Sequence, residues 1–198
     1  MNNRIIHGDA FEELSKMEDQ SVDLIITDPP YDFNQEQKEF LQKQFHRISR
    51  GVIIVFSPPE NQWIFPADQY LFWIKPISTK NTSKRYSRFV EMIFIYKYGT
   101  WNTDRHWSQY TNVFTDLVDT SYIHPFRKPP SLLKRLILNH SKPGDVILDP
   151  FFGSGTTLSE AENNHRYYIG IEQEWEHFRS FRDKLTPGND AVVFCYNR

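Results

Sequence analysis

Apolar residues along this chain fall into short runs set between polar, proline-rich and glycine-rich stretches. Arg4 to His7 predicts a short strand leading into Gly8-Asp9, and Phe11 to Met17 has helical spacing. Val22 to Thr27 predicts a buried strand. Gln35 to Ile48 predicts a helix with Phe40, Leu41, Phe45 and Ile48 on one face. Gly51 to Phe56 is purely apolar, as parallel strands covered on both faces are. Phe72-Trp73 and Phe89 to Tyr96 lie in strand-like runs, and Val113 to Val118 is a further short candidate. Ser131 to Asn139 then predicts a helix, followed by a strand at Val146, a helix opening at Thr156, a strand over Tyr167–Ile171 and a helix from Glu172 to Phe178. Ala191 to Phe194 reads as an edge strand with no functional reading attached to the tail over 187–198. Alternation of this kind predicts a doubly wound, mostly parallel α/β sheet with helices on both faces, a Rossmann-like arrangement in one domain over residues 1–198.

Two turns carry chemistry. The strand ending at Thr27 runs into Asp28-Pro29-Pro30-Tyr31. Proline has no N–H to continue a ladder, so the strand stops in a rigid turn bearing a carboxylate, oriented carbonyls and an aromatic face. Such a turn suits a planar molecule with an exocyclic amine: Asp28 and the Pro29 carbonyl accept two N–H bonds while Tyr31 stacks. An acid-capped turn would explain the tetrapeptide alone, so the weight falls on a second motif.

That motif is Asp149-Pro150-Phe151-Phe152-Gly153-Ser154-Gly155-Thr156-Thr157. Gly153 and Gly155 permit positive φ and close approach of a ligand, and the helix opening at Thr156 offers free N–H groups to an anion. A nucleotide P-loop would need Gly-Lys-Ser/Thr, and a dinucleotide turn would need a third glycine where Leu158 stands. Glu172 ends the next strand, where an acid meets ribose hydroxyls. The pattern implies a ligand with a ribose and a carboxylate but no required phosphate, and S-adenosylmethionine fits that description.

Here the chain resembles the amino-methylating DNA methyltransferases, from about Ile5 to about Phe178. The matching residues are Asp28-Pro29-Pro30-Tyr31, Asp149 to Thr157, Gly170-Ile171-Glu172, Gly8-Asp9 and His124-Pro125-Phe126-Arg127-Lys128-Pro129. The catalytic turn precedes the cofactor turn, which is similar to the permuted beta group of that family. The resemblance implies a methyltransferase fold, S-adenosylmethionine as cofactor and double-stranded DNA as partner. It also implies catalysis by Asp28, Pro29, Pro30 and Tyr31. Asp9, Asp28, Lys128, Asp149, Phe151, Gly153, Ser154, Gly155, Thr156 and Glu172 would bind the cofactor, with Asp9 at its adenine and Ser154, Thr156 and Lys128 at its methionine end. Aspartate at position 28 favours the N6 amine of a flipped adenine. The N4 amine of cytosine and a non-catalytic DNA-binding subunit stand as alternatives. The resemblance further implies a cytoplasmic place in a bacterial or phage-infected cell, and leaves open a homodimer and a restriction endonuclease partner. Ser57-Pro58-Pro59-Glu60 imitates a catalytic variant of the cytosine branch, but Glu60 supplies no aromatic face, so it reads as a loop.

Charge adds one feature. The net charge is −2, yet between Asp68 and Glu91 there is no acid, while Lys75, Lys80, Lys84, Arg85 and Arg88 fall there. Phosphate binding depends on a local patch of this kind, so Lys80, Lys84, Arg85 and Arg88 are candidate DNA contacts. Residues 76–88 and 100–122 are the expected DNA-contacting and target-recognition insertions, with Tyr86, Trp101, Trp107 and Tyr110 as candidate stacking groups. No apolar stretch approaches the length of a membrane span, one cysteine (Cys195) rules out an internal disulfide, and the histidines show no metal-ligand spacing.

Overall fold

A computed structural model of the protein describes residues 2–64, 66–75, 89–97, 102, 104–117, 128–185 and 192–195. The strands are β1 (Arg4–His7), β2 (Val22–Thr27), β3 (Ser49–Ser57), β4 (Gln69–Ile74), β5 (Val90–Tyr96), β6 (Val113–Phe114), β7 (Val146–Asp149), β8 (Tyr167–Glu172) and β9 (Val192–Cys195). The helices are α1 (Ala10–Lys16), α2 (Gln35–Ile48), α3 (Pro130–His140), α4 (Thr156–Asn163) and α5 (Trp175–Arg182). All the strands join one sheet in the order β6-β4-β5-β3-β2-β7-β8-β1-β9. Among the described residues only β5 is reversed: it runs antiparallel to β3 and β4, and the other pairings are parallel.

The continuous apolar strands divide their side chains between two cores with period two. Leu24, Ile26, Val52, Ile54 and Ile147 face a core completed by Leu132, Leu136 and Ile137 of α3, Leu158 of α4, and Phe178 and Phe181 of α5. Ile25, Ile53, Val55 and Leu148 face the other, completed by Leu14 of α1 and Leu41, Phe45 and Ile48 of α2. The doubly wound reading is therefore correct, and its layers are α1 and α2 on one side, α3 to α5 on the other.

Helix boundaries follow local chemistry. Asp9 caps α1 by accepting from the N–H groups of Phe11 and Glu12. Asn34 and Gln37 form a reciprocal capping box at the start of α2. The expected face of α2 needs one correction. Phe40 is exposed and rests on the ring of Phe11, while Lys38 and Gln42 are buried beside Leu41 and Phe45. Their polar ends are satisfied by the loop after β3: Lys38 Nζ donates to the Asn61 side chain and the Gln62 carbonyl, and Trp63 Nε1 donates to Gln42 Oε1. That loop holds Ser57-Pro58-Pro59-Glu60, which forms a 3-10 turn over Pro59–Asn61 and lies outside the ligand cavity described below. Val113 to Val118 contributes only the two residues of β6, and Glu172 belongs to β8 rather than to the following helix.

Strand order fixes where a ligand can enter. From β2 the chain crosses through α2 to β3 on one side, and from β7 it crosses through α4 to β8 on the other. β2 and β7 are neighbours in register, Leu24 opposite Ile147 and Ile25 opposite Leu148. The crevice above their carboxyl ends is the topological switch point, where doubly wound sheets bind ligands. The reversal of β5 matters here as well. Met92 pairs with Ser57 at the end of β3 and Glu91 with Trp73 near the end of β4, so the start of β5 lies on the same rim.

Candidate active site

A cavity of about 390 Å³ opens at the switch point, within the range of small-molecule sites. Asp28, Pro29, Pro30 and Tyr31 form one wall; Asp149, Phe151, Phe152, Gly153, Ser154, Thr156 and Thr157 form another. Lys128, Glu172, Glu174 and His177 also line it. The two turns picked out by their prolines and glycines therefore share one lip of the sheet.

The glycine turn is held from behind. Glu172 Oε2 accepts from the Gly153 N–H at 2.8 Å, and its other oxygen accepts from the Glu174 N–H at 2.8 Å. Glu172 thus holds the turn in place, with lone pairs left over. Gly153 and Gly155 have φ of +48° and +77°, as their spacing predicts. The close approach at Gly155 is by protein: a Cβ there would lie 2.0 Å from Cδ2 of Phe181. No side chain caps α4 at Gly155, so its first turn faces the cavity with the hydroxyls of Ser154 and Thr156, 3.0 Å apart. Asp149 is buried, and burial pushes its carboxyl up to about 7 against the hydrogen bonds it receives from Thr157 and the Phe151 N–H. Asp9 does not line this cavity; its carboxylate caps α1, whose Phe11 packs on Phe33, which in turn meets Phe151 of the glycine turn.

The opposite wall is a charge cluster. Lys128, set just before α3, directs its ammonium to Asp28 Oδ2 and, at 2.6 Å, to Glu91 Oε1. Tyr31 donates its hydroxyl to Asp28 Oδ1 at 3.1 Å. Glu91 Oε2 meets Lys75 Nζ at 2.6 Å, and the two ammonium groups sit over the rings of Phe56 and Trp73. Burial raises the carboxyl of Asp28, with Lys128 opposing and Glu91 reinforcing that shift. Burial would also raise Glu91, but Lys128 and Lys75 outweigh it and hold Glu91 below the usual range. Burial alone would lower Lys128; Asp28 and Glu91 outweigh it, and the lysine stays charged. The expectation for Lys128 was the methionine end of a cofactor, whereas its ammonium here faces Asp28 and Glu91. Lys75, the first cation of the basic run, is likewise engaged with Glu91. Lys80, Lys84, Arg85 and Arg88 lie outside the described residues, as do Tyr86, Trp101 and residues 124–127. Of the remaining stacking candidates, Trp107 is exposed, and Tyr110 is half-buried and donates to the Asn102 carbonyl.

Glu91 is the residue that sequence reasoning missed. Its signal was present: one acid inside an otherwise apolar strand demands a buried partner. Glu174 and His177 carried no comparable signal, being ordinary surface types on a helix entry.

Residues 52–183 match the family described as DNA methylase. The chain is also 30% identical to the DNA adenine methyltransferase YhdJ of Escherichia coli, over 88% of this chain and 80% of that one. The chain belongs to the DNA methylase family. The matched span begins after Asp28, so the Asp28-Pro29-Pro30-Tyr31 turn is an observation independent of it. This methylase is 27% identical to the type II methyltransferase M2.DpnII of Streptococcus pneumoniae, over 94% of this chain and 91% of that one. Among solved structures it superposes on M1.HpyAVI, crystallised with SAM, with a TM-score of 0.73 at 28% identity, covering 92% of this chain and 99% of that one. The cytosine-N4-specific PvuII DNA methyltransferase superposes with a TM-score of 0.74 at 20% identity, covering 96% of this chain and 88% of that one; this is a likeness of fold. Among the described residues no helix is long and apolar enough to cross a membrane, and no group of three acidic, histidine or cysteine side chains is placed to hold a metal ion.

Proposed function

We propose that this methylase transfers the methyl group of S-adenosylmethionine to the N6 amine of an adenine flipped out of double-stranded DNA. The observation that carries the reading is the meeting of the Asp28-Pro29-Pro30-Tyr31 turn and the glycine turn on one cavity at the switch point. The residues fit the cofactor: an uncapped helix start with two hydroxyls suits its carboxylate, Glu172 suits its ribose, and the turn has no lysine for a phosphate. Asp149, Phe151 and Gly153 line the same cavity, and Gly155 sets the bend of the turn against Phe181.

S-adenosylmethionine supplies an activated methyl whose carbon–sulfur bond breaks with its electron pair going to sulfur. The protein's part is positioning and electrostatics. Asp28 accepts one amine N–H and the Pro29 carbonyl the other, which turns the nitrogen lone pair toward the methyl carbon. One proton then leaves the cationic amine, and Asp28, which accepts one of its N–H bonds in this reading, can take it. Tyr31 stacks on the base and returns roughly 1–3 kcal/mol of the cost of flipping. The adenine choice rests on aspartate at position 28 and on the adenine-methylating relative. The basic run over Lys80–Arg88 supplies phosphate contacts in this reading. Residues 100–122 form a short recognition segment, which favours a second copy sharing that task, and the type II relative favours a restriction endonuclease partner.

The test is transfer of labelled methyl groups from S-adenosylmethionine to mixed unmethylated DNA, followed by digestion and mass identification of the nucleoside. N6-methyladenosine in its deoxy form supports the reading. N4-methylcytosine would replace it with the cytosine alternative, and no transfer would return the protein to a non-catalytic DNA-binding subunit.

A further inference from the structure

Glu91 does not line the cavity, yet it is bound to the group that holds the catalytic aspartate. Its side chain is 2% exposed, and a carboxylate so placed must be paired. Each of its oxygens meets one ammonium: Oε2 meets Lys75 and Oε1 meets Lys128, both at 2.6 Å. Lys128 is 9% exposed and divides its donors between Glu91 and Asp28, with the Tyr31 hydroxyl at 3.5 Å from the same nitrogen. Two carboxylates and two ammonium groups thus balance without a ligand. They come from four places in the chain: the turn after β2, the end of β4, the start of β5 and the entry to α3.

This arrangement poses a competition. Of the two Asp28 oxygens available to the target amine, the lysine covers Oδ2 and the Tyr31 hydroxyl donates to Oδ1. An ammonium paired with Asp28 alone would close on it as a complete ion pair. Shared with Glu91, the same ammonium gives Asp28 only part of its donors, and 24% of the Asp28 side chain stays open to the cavity.

We propose that Glu91 is a positioning residue of this methylase: by sharing the Lys128 ammonium, it keeps Asp28 open to the incoming amine. Lys75 tunes the sharing, because it competes with Lys128 for Glu91. The groups facing Asp28 are Lys128 and Tyr31 directly, Glu91 across the lysine, and Asp149 of β7 on the other wall. Glu172, Glu174 and His177 line the same cavity. The proposal rests on the methyl-transfer reading above.

The experiment uses the full chain and compares Glu91→Gln and Lys75→Met with wild type. It follows the pH profile of kcat for methyl transfer to DNA, and S-adenosylmethionine binding by calorimetry. Glu91→Gln leaves Lys128 to Asp28 alone and removes a like charge, so kcat falls at least about tenfold, the loss of one weakened hydrogen bond in the transition state. Its acid limb moves down by about half a pH unit or more. Lys75→Met leaves Glu91 to Lys128 alone, the ammonium is drawn from Asp28, and the acid limb moves up. Cofactor affinity stays within about twofold in both, since neither residue touches the cavity. Acid limbs unchanged, or displaced in the same direction, overturn the proposal, as does a Glu91→Gln enzyme with wild-type kcat. If Glu91→Gln yields no folded protein, Lys75→Met decides: Lys75 is 31% exposed, and a limb at the wild-type position overturns the idea. A wild-type chain that methylates no DNA fails the functional reading instead, a result distinct from either.

Discussion

Asp28→Asn is a small change with a large expected effect. A carboxylate offers about four acceptor sites, and at Asp28 two are taken, by Lys128 and by the Tyr31 hydroxyl. An amide in its place has one acceptor oxygen. The Lys128 ammonium can only donate, so that oxygen turns to the lysine and the amide NH2 takes the side now occupied by the Tyr31 contact. The incoming amine then meets a neutral group, half of which is a donor. Losing one such acceptor in the transition state is worth about 2.7–4 kcal/mol, or 100- to 1000-fold in kcat. Fold and cofactor affinity should survive, because Lys128 keeps Glu91 as counter-ion and the glycine turn is untouched. The assay is single-turnover transfer of labelled methyl to DNA, with calorimetric S-adenosylmethionine binding alongside. A second variant sharpens it. Adding Lys128→Met frees the amide oxygen to face the amine, so the double variant should recover about tenfold over the single one. An Asp28→Asn enzyme within about threefold of wild type refutes the argument, and so does a double variant no faster than the single one.

Other consequences are as direct. Tyr31→Ala should lower kcat by about 5- to 150-fold, the equivalent of 1–3 kcal/mol of stacking, and an unchanged rate removes the base from that ring. Gly155→Ala should destabilise the fold by about 2–5 kcal/mol, since it combines an unfavourable positive φ with a Cβ 2.0 Å from the Phe181 ring; thermal unfolding reads it, and an unaltered midpoint contradicts the packing. Asp149 is protonated in both folded and unfolded chains below about 3.8, and its folded carboxyl titrates only at about 7. Its contribution is therefore fully present at low pH and is lost as pH rises through that window, at up to about 1.4 kcal/mol per unit. Unfolding of the ligand-free protein by urea between pH 4 and 7 should show a flatter profile in Asp149→Asn than in wild type, and parallel profiles would contradict the burial argument.

Much of this protein can be read from the chain because its signals are local. Prolines at 29 and 30 stop β2, positive φ at residues 153 and 155 demands glycine, and unbroken apolar runs require a sheet covered on both faces. None of these depends on what lies across the molecule, so strand positions, both turns and the doubly wound class were all legible. Partnerships were not. Asp28 and Lys128 are 100 residues apart, and a lysine near a cofactor motif reads as a cofactor ligand until packing brings it onto a buried acid. Glu91 reaches the same rim only because β5 runs against its neighbours, a reversal no residue within β5 encodes. Lys75 looks like part of a basic run, and Phe40 like part of a helix face, until the sheet and α2 are docked. A backbone turn is decided by bonds a few residues long, whereas the partner of a buried charge is whichever opposite charge the assembled layers leave within reach.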